Sequence, residues 1–376
     1  MHREEALEKI KTAKKLYIYG AGDVAKQVSF CLRGAPYYFK INAFVVSDLE
    51  RIKEQNIGDI PIISCDELNV SSDLVVIIAV LEKYKDEICL KLEEMGISDY
   101  IVMTFESDLW CEIRRGYYEI YTKNTEDVPF FMLNEELNVY ENSNNKYKKS
   151  DFKIYIAKSH LDKSLKEQVI NKEWEKEIQV GAELTNKRIA EIKDNVGNNI
   201  SQKNEKYCEL TALYWIWKNT DSEYAGLSHY RRKFVISQEE IEKIINSNID
   251  VVVTIPIINL PNVVTMYKKN HLAEDWEVMV RGIQTLYPQY ISALHEIEQS
   301  NFYIAYNMFI MKRKCLNEYC EWLFPLLEYC ENNCGTKEDK YQNRYIGFLA
   351  ERLVNVFLLY HKKDYKVVYA NKHFYE

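Results

Sequence analysis

Short, fully apolar runs alternate with amphipathic stretches through the first third of the chain. Leu16-Tyr17-Ile18-Tyr19 reads as a buried strand, and a glycine turn then leads into a helical stretch from Asp23 to Leu32. Ile41 to Val46 is a second strand, closing at Ser47-Asp48, and Leu74 to Val80 is a third. An amphipathic helix over Glu82–Met95 then leads to a strand at Tyr100–Met103. Strand and helix in alternation predict βαβ units and a parallel sheet. The longest unbroken apolar run, Leu74 to Leu81, is far short of the roughly 18–20 residues that span a bilayer. No transmembrane segment is therefore expected.

The pattern then changes. Glu141 to Ser150 is almost wholly polar and reads as a linker or exposed loop. Beyond it come strand-like runs at Phe152–Ala157, Ile178–Val180, Tyr224–Leu227, Asp250–Ile255 and Phe302–Met311. Helix-like segments lie at Tyr207–Lys218, Glu239–Ile245, Cys315–Glu331 and Lys340–His361. The last carries Ile346, Leu349, Leu353, Val356 and Tyr360 as an apolar stripe at helical spacing. The fold class expected is α/β throughout: a Rossmann-like parallel-sheet domain over 1–118, a linker region over 119–150 and a second α/β domain over 151–376.

Composition narrows the function classes. The 376 residues carry a net charge of -8, and the first 150 hold 19 Lys and Arg against 26 Asp and Glu. The acidity thus belongs to the first domain, and whole-molecule attraction to nucleic acid is not expected. The charged start Met1-His2-Arg3-Glu4-Glu5 lacks the apolar core of a secretory signal. Nine irregularly spaced cysteines fit reduced thiols and a cytoplasmic location. Cys315, Cys320, Cys330 and Cys334 sit in an apolar helix-like stretch, which favours buried thiols over a zinc site. The 29 tyrosines suit both cores and pockets for polar ligands.

Two segments carry candidate chemistry. Gly20-Ala21-Gly22-Asp23-Val24-Ala25 has the G-x-G-x-x-A form directly between a strand and a helix. Gly20 and Gly22 would let backbone amides approach a phosphate, and Asp48 ends the next strand where a ribose-binding acid would sit. A tight turn that binds nothing has the same form. In the second domain, Asp194, Asn195, Asn199 and Ser201 form a run of amide, carboxylate and hydroxyl groups suited to a polar ligand. His229-Tyr230-Arg231-Arg232 follows a strand, and its adjacent arginines can neutralise a diphosphate through charge-assisted hydrogen bonds.

These residues carry a resemblance. Tyr19-Gly20-Ala21-Gly22, Phe44-Val45-Val46-Ser47-Asp48 and Ile60-Pro61-Ile62-Ile63 are similar to the small Rossmann-like domains that precede sugar-modifying enzymes, including sugar acyltransferases. From about Lys153 onward the chain resembles a family of bacterial capsule, exopolysaccharide and O-antigen glycosyltransferases known as a domain of unknown function. The matching pieces are Asp194-Asn195 with Gly197 and Asn199-Ile200-Ser201, Tyr207 to Thr211, Gly226 to Arg232, and Tyr306-Asn307-Met308-Phe309. The resemblance implies a GT-A-like fold and transfer of a galactofuranosyl or related sugar from a nucleotide-sugar donor. The acceptor implied is a glycan or lipid-linked glycan, with peripheral association at the inner face of the cell membrane. Many GT-A enzymes hold a divalent metal, Mg or Mn, on an Asp-x-Asp motif. This chain has none, so either the arginines replace the metal or other ligands hold it.

For the donor, Asp194, Asn195, Asn199, Ser201, His229, Tyr230, Arg231, Arg232 and Asn307 are the expected binding residues. For the base that inversion requires, His271 and Asp275 lie four apart and are expected on one helix face, with Asp194 and His229 in reserve. Arg344 and Glu351 are expected on an exposed charged face. Two other function classes stay open. One is a nucleotide or sugar-nucleotide binding or scaffold protein acting through the first domain. The other is an NAD-dependent oxidoreductase, which the glycine motif favours but no Tyr-x-x-x-Lys pair accompanies after Asp48 in the first domain.

Overall fold

The structure, a computed structural model, describes residues 2–71, 73–125, 131–133, 152–247 and 249–376. The chain separates into two compact units, Met1–Pro129 and Phe130–Glu376.

In the first unit, strands β1 (Lys15–Tyr19), β2 (Ala43–Val46), β3 (Asn56–Ile57), β4 (Ile60–Ser64), β5 (Leu74–Ile78) and β6 (Tyr100–Val102) form one sheet in the order β3-β4-β2-β1-β5-β6. All pairings are parallel except the β3–β4 hairpin. Every residue of β5 is buried, as a parallel sheet covered on both faces demands. The helix Asp23–Arg33 buries Val24, Ala25, Val28, Cys31 and Leu32. Two helices outside the sequence pattern complete the unit, Arg3–Thr12 and Asp108–Thr125. The latter continues through residues 119–125, where a linker was expected; most of 126–151 lies outside the described residues.

Gly20 leaves central β1 at the point where the strand order reverses, beside β5. Its φ is +120°, and a Cβ there would stand 2.7 Å from the Ala79 carbonyl oxygen. Only glycine fits that combination.

In the second unit, strands β7 (Phe152–Lys158), β8 (Glu175–Gln179), β9 (Ile192–Lys193), β10 (Tyr224–His229), β11 (Arg232–Phe234), β12 (Val251–Thr254), β13 (Ile257–Ile258), β14 (Phe302–Tyr303), β15 (Phe309–Lys312), β16 (Val367–Ala370) and β17 (Lys372–Phe374) are present. The main sheet runs β16-β12-β15-β10-β7-β8-β9, with β11 bridging β10 and β17. β15 is antiparallel to both neighbours, and β7, β8, β9 and β10 are mutually parallel. The GT-A-like α/β class expected from the resemblance agrees with this mixed sheet.

The structure corrects two element boundaries. The run Phe302–Met311 is not one strand: β14 pairs with β13, β15 joins the main sheet, and Tyr306 and Asn307 between them hold φ of 74° and 50°. The helix read over Tyr207–Lys218 breaks at Cys208, φ 50°, into Asn204–Tyr207 and Leu210–Asn219. Neither break carries a glycine or proline. Cys315, Cys320 and Cys330 are buried thiols of the long helix Arg313–Cys334.

Candidate functional site

β7 and β10 lie side by side and parallel, while the chain leaves them toward opposite sides of the sheet. A crevice outside the carboxyl ends of such a strand pair is where open α/β sheets bind ligands. His229 ends β10, and Tyr230-Arg231 form the turn by which the chain folds back so that Arg232 faces His229 across a β10–β11 hairpin. The Ser228 hydroxyl donates to the Arg232 carbonyl at 2.6 Å. β17 braces the hairpin from its other edge through Arg232–Phe374 and Phe234–Lys372 pairings. The Tyr375 amide donates to the Arg231 carbonyl at 2.8 Å.

The two arginines are therefore fixed at the backbone and held by aromatic rings. Arg232 lies 4.6 Å from the Tyr306 ring centre and 5.2 Å from that of Phe374. Arg231 lies 5.3 Å from the Phe374 centre, and its Nε is buried with no hydrogen-bond partner among the described residues. At the end of neighbouring β7, His160 Nδ1 is buried and unpartnered in the same way. Asp162 accepts from the Ser159 amide at 2.7 Å; burial holds its carboxyl above the usual range against Lys158, Arg231 and His160. Orphaned buried donors are rare unless a ligand or water completes them.

A second group of polar side chains surrounds His229. Its Nε2 lies 2.6 Å from the Tyr306 carbonyl oxygen, which can only accept, so Nε2 carries the proton and Nδ1 is the acceptor. Burial holds this ring below the ordinary histidine range, opposed by the charge of Glu209. Glu209 stands at the N-terminus of the helix Leu210–Asn219. Its Oε1 accepts from Asn307 Nδ2 at 2.6 Å, and the same nitrogen donates to the Gly347 carbonyl at 3.2 Å. Asn307 is fully buried, and its Oδ1 has no partner among the described residues.

Arg344 and Glu351 were expected on a plain charged face. Arg344 is solvent-exposed, but its Nε donates to Cys208 Sγ at 3.2 Å. Glu351 pairs with Arg352 at 2.9 Å, and burial with the nearby Glu209 charge holds its carboxyl above the usual range. Both belong to the surroundings of Glu209.

The other expected donor residues do different work. Asp194 is fully buried, and its carboxylate accepts from the Gly181 amide at 2.8 Å, the Ala182 amide at 3.0 Å, Ser201 Oγ at 2.5 Å and Thr211 Oγ1 at 2.6 Å. It ties the loop after β8 to the start of the helix at Leu210 and has no oxygen left for a ligand. Asn195 donates to Glu183 at 3.1 Å, and Asn199 bonds the Gly197 carbonyl and the Ser201 amide. This Asn-rich run is a self-satisfied loop.

His271 and Asp275 do not share a helix face. His271 has extended backbone after the helix Val263–Asn270, and Asp275 sits in the first turn of Ala273–Leu286. Asp275 is 1% exposed and pairs with Lys337 at 2.7 Å. His271 packs on Phe348, ring centres 4.1 Å apart, and burial pushes it down to about 4. In the first unit, Asp48 caps the turn Leu49–Arg51 through the Glu50 amide and pairs with Arg51 at 3.0 Å, while a Cβ on Gly22 would meet nothing within 4 Å.

Sequence reading passed over Glu209, His160 and Asp162. Glu209 lay inside the quoted Tyr207–Thr211 segment, and a carboxylate opening a helix of buried residues was the available signal. As for a metal, no three His, Cys, Asp or Glu side chains converge among the described residues. The β10–β11 turn presents arginines where an Asp-x-Asp motif would present carboxylates.

The family model for a domain of unknown function, DUF4422, matches residues 153–363. The chain belongs to this family. Among solved structures it is similar to the apo form of the bifunctional glycosyltransferase WbbM, with 29% identity and a TM-score of 0.52. That match covers 60% of this chain and 45% of WbbM, so the chain corresponds to less than half of that protein. No curated protein matches the chain.

Proposed function

We propose that the protein is a glycosyltransferase. It moves a sugar from a nucleotide-sugar donor, UDP-linked and galactose- or galactofuranose-like, to a glycan or lipid-linked glycan acceptor in cell-surface polysaccharide synthesis. The observation that carries the reading is Arg231: a buried, unpartnered guanidinium nitrogen on a braced hairpin at the strand-order switch. A diphosphate supplies the missing acceptor oxygens, and Arg231 and Arg232 together offset its charge. Glycosyl transfer needs this most as the diphosphate leaves. The 29% identity to a glycosyltransferase supports the same reading. Work at the inner face of the membrane fits a chain in which no described helix is long and apolar enough to cross one.

The test is nucleotide release from a panel of UDP-hexoses with glycan acceptors, alongside calorimetric UDP titration. Arg231→Ala is expected to weaken UDP binding by about 10-fold to 10²-fold. Unchanged affinity removes it from the diphosphate role. Chelation before assay separates arginine-only from Mg- or Mn-assisted departure.

A second reading, nucleotide or sugar-nucleotide binding by the first unit, is supported by Gly20 and the open space at Gly22 at that sheet's own switch point. Binding by residues 1–125 alone would favour it.

A further inference from the structure

Four described residues other than glycine hold left-handed φ: Tyr38, Cys208, Tyr306 and Asn307. The last three lie around Glu209 and His229. Cys208 precedes Glu209 and turns it into the helix start; Tyr306 and Asn307 carry the carbonyl that holds His229 and the amide that holds Glu209. Backbone strain of this kind persists where the surrounding structure over-determines it, and it clusters at functional sites.

We propose that Glu209 is the general base that takes the proton of the acceptor hydroxyl, and that Asn307 is the positioning residue that fixes it. The proposal rests on the glycosyltransferase reading. As the acceptor oxygen bonds to the anomeric carbon, the bond from that carbon to the donor phosphate oxygen breaks. Its electron pair leaves with the diphosphate, and the acceptor proton passes to Glu209 and then to solvent. This is a single displacement with inversion.

Three other buried or half-buried carboxylates of the unit are committed elsewhere. Asp194 is saturated by four donors, Asp275 is paired with Lys337, and Glu351 is paired with Arg352. Glu209 uses Oε1 for Asn307, and Oε2 has no hydrogen-bond or ion-pair partner among the described residues. It is half-buried, so it is both sheltered and reachable. The charged and titratable groups that feel it are His229 of the hairpin, Cys208 beside it, and Arg344 and Glu351 of the C-terminal helical segment. Arg232, which closes the Arg231 turn, and Glu209 both act on His229 and Glu351, which puts base and diphosphate at neighbouring places.

The test uses the full chain and isosteric Glu209→Gln, with its melting curve checked against wild type. Its kcat is expected to fall about 10²-fold or more while UDP affinity stays within about two-fold. Added formate is expected to restore turnover to Glu209→Ala. Asn307→Ala is expected to lower kcat by about 10-fold to 10²-fold. Combined with Glu209→Gln it should cost nothing further, because one residue acts through the other. Wild-type kcat in Glu209→Gln overturns the base assignment and leaves transfer standing. Additive losses overturn the positioning role. No transfer by the wild type across the donor panel overturns the function and the assignment with it.

Discussion

Asn307 Nδ2 donates to Glu209 Oε1 at 2.6 Å, joining residues 98 positions apart. One comes from the β14–β15 connection and the other from a helix start, so the contact forms only when the sheet and the helices over it are assembled. The stability of the second unit and the geometry of its site are consequently hard to separate. The first three predictions concern residues that hold the unit together.

Asp194 accepts four hydrogen bonds in full burial. Asp194→Asn keeps the shape but replaces one acceptor oxygen with a donor that faces amide and hydroxyl donors. Unfolding free energy is expected to fall by about 3 kcal/mol or more, since hydrogen bonds to charged groups contribute most and buried orphans cost most. Urea denaturation measures it. Loss of UDP affinity in a fully folded variant would instead return Asp194 to the donor site.

Asp275 is a buried carboxylate with Lys337 as its ion-pair partner. Lys337→Met leaves the charge uncompensated, and a loss of about 3–5 kcal/mol is expected. Asp275→Asn with Lys337→Met should recover much of that loss, because neither charge then remains. Thermal melts of the single and double variants check the cycle.

His271, pushed down to about 4 from an ordinary 6.5, gives a pH signature. Between those values the unfolded chain binds a proton that the folded protein does not, so stability rises with pH through this window. It is fully present above about 6.5 and is lost as pH falls toward 4. His271→Gln should flatten that part of the stability curve, measured as melting temperature against pH. An unchanged slope would mean that other groups carry it.

Arg231 gives the binding counterpart. The hairpin is held by backbone bonds to β17 and by the Ser228–Arg232 contact, so Arg231→Ala should leave the melt near wild type while UDP affinity falls. Arg231→Lys should recover only part, because an ammonium lacks the planar fork.

The strands were legible where burial dominates. Leu74–Ile78 is buried throughout and Phe152–Lys158 at five of its seven positions, and both announce themselves by their apolar residues. The place of the arginine pair directly after a buried strand was legible as well, since β10 ends at His229. The Asn-rich run misled because Asp, Asn and Ser serve a loop's own amides as readily as a ligand's. Asp194 shows it: its bonds go to Gly181, Ala182, Ser201 and Thr211, which sequence spacing does not connect. The helix break at His271 was hidden for another reason. Periodicity runs through Asn270-His271-Leu272, and no glycine or proline marks where the backbone turns extended. Glu209 could not be ranked above its neighbours, because its importance comes from Asn307, which tertiary packing alone brings near.

The bracing of the arginine hairpin by β17 has a consequence for synthesis on the ribosome. Residues 229–232 emerge long before Lys372–Phe374, the strand that pairs with them. Through that interval the turn carrying Arg231 and Arg232 has β10 on one side and nothing from β17 on the other. Translation order therefore delays the bracing of the Arg231–Arg232 turn until nearly all of the second unit has been made. A product that stops before residue 372 would retain most of its sheet and lack the strand that holds this turn in place.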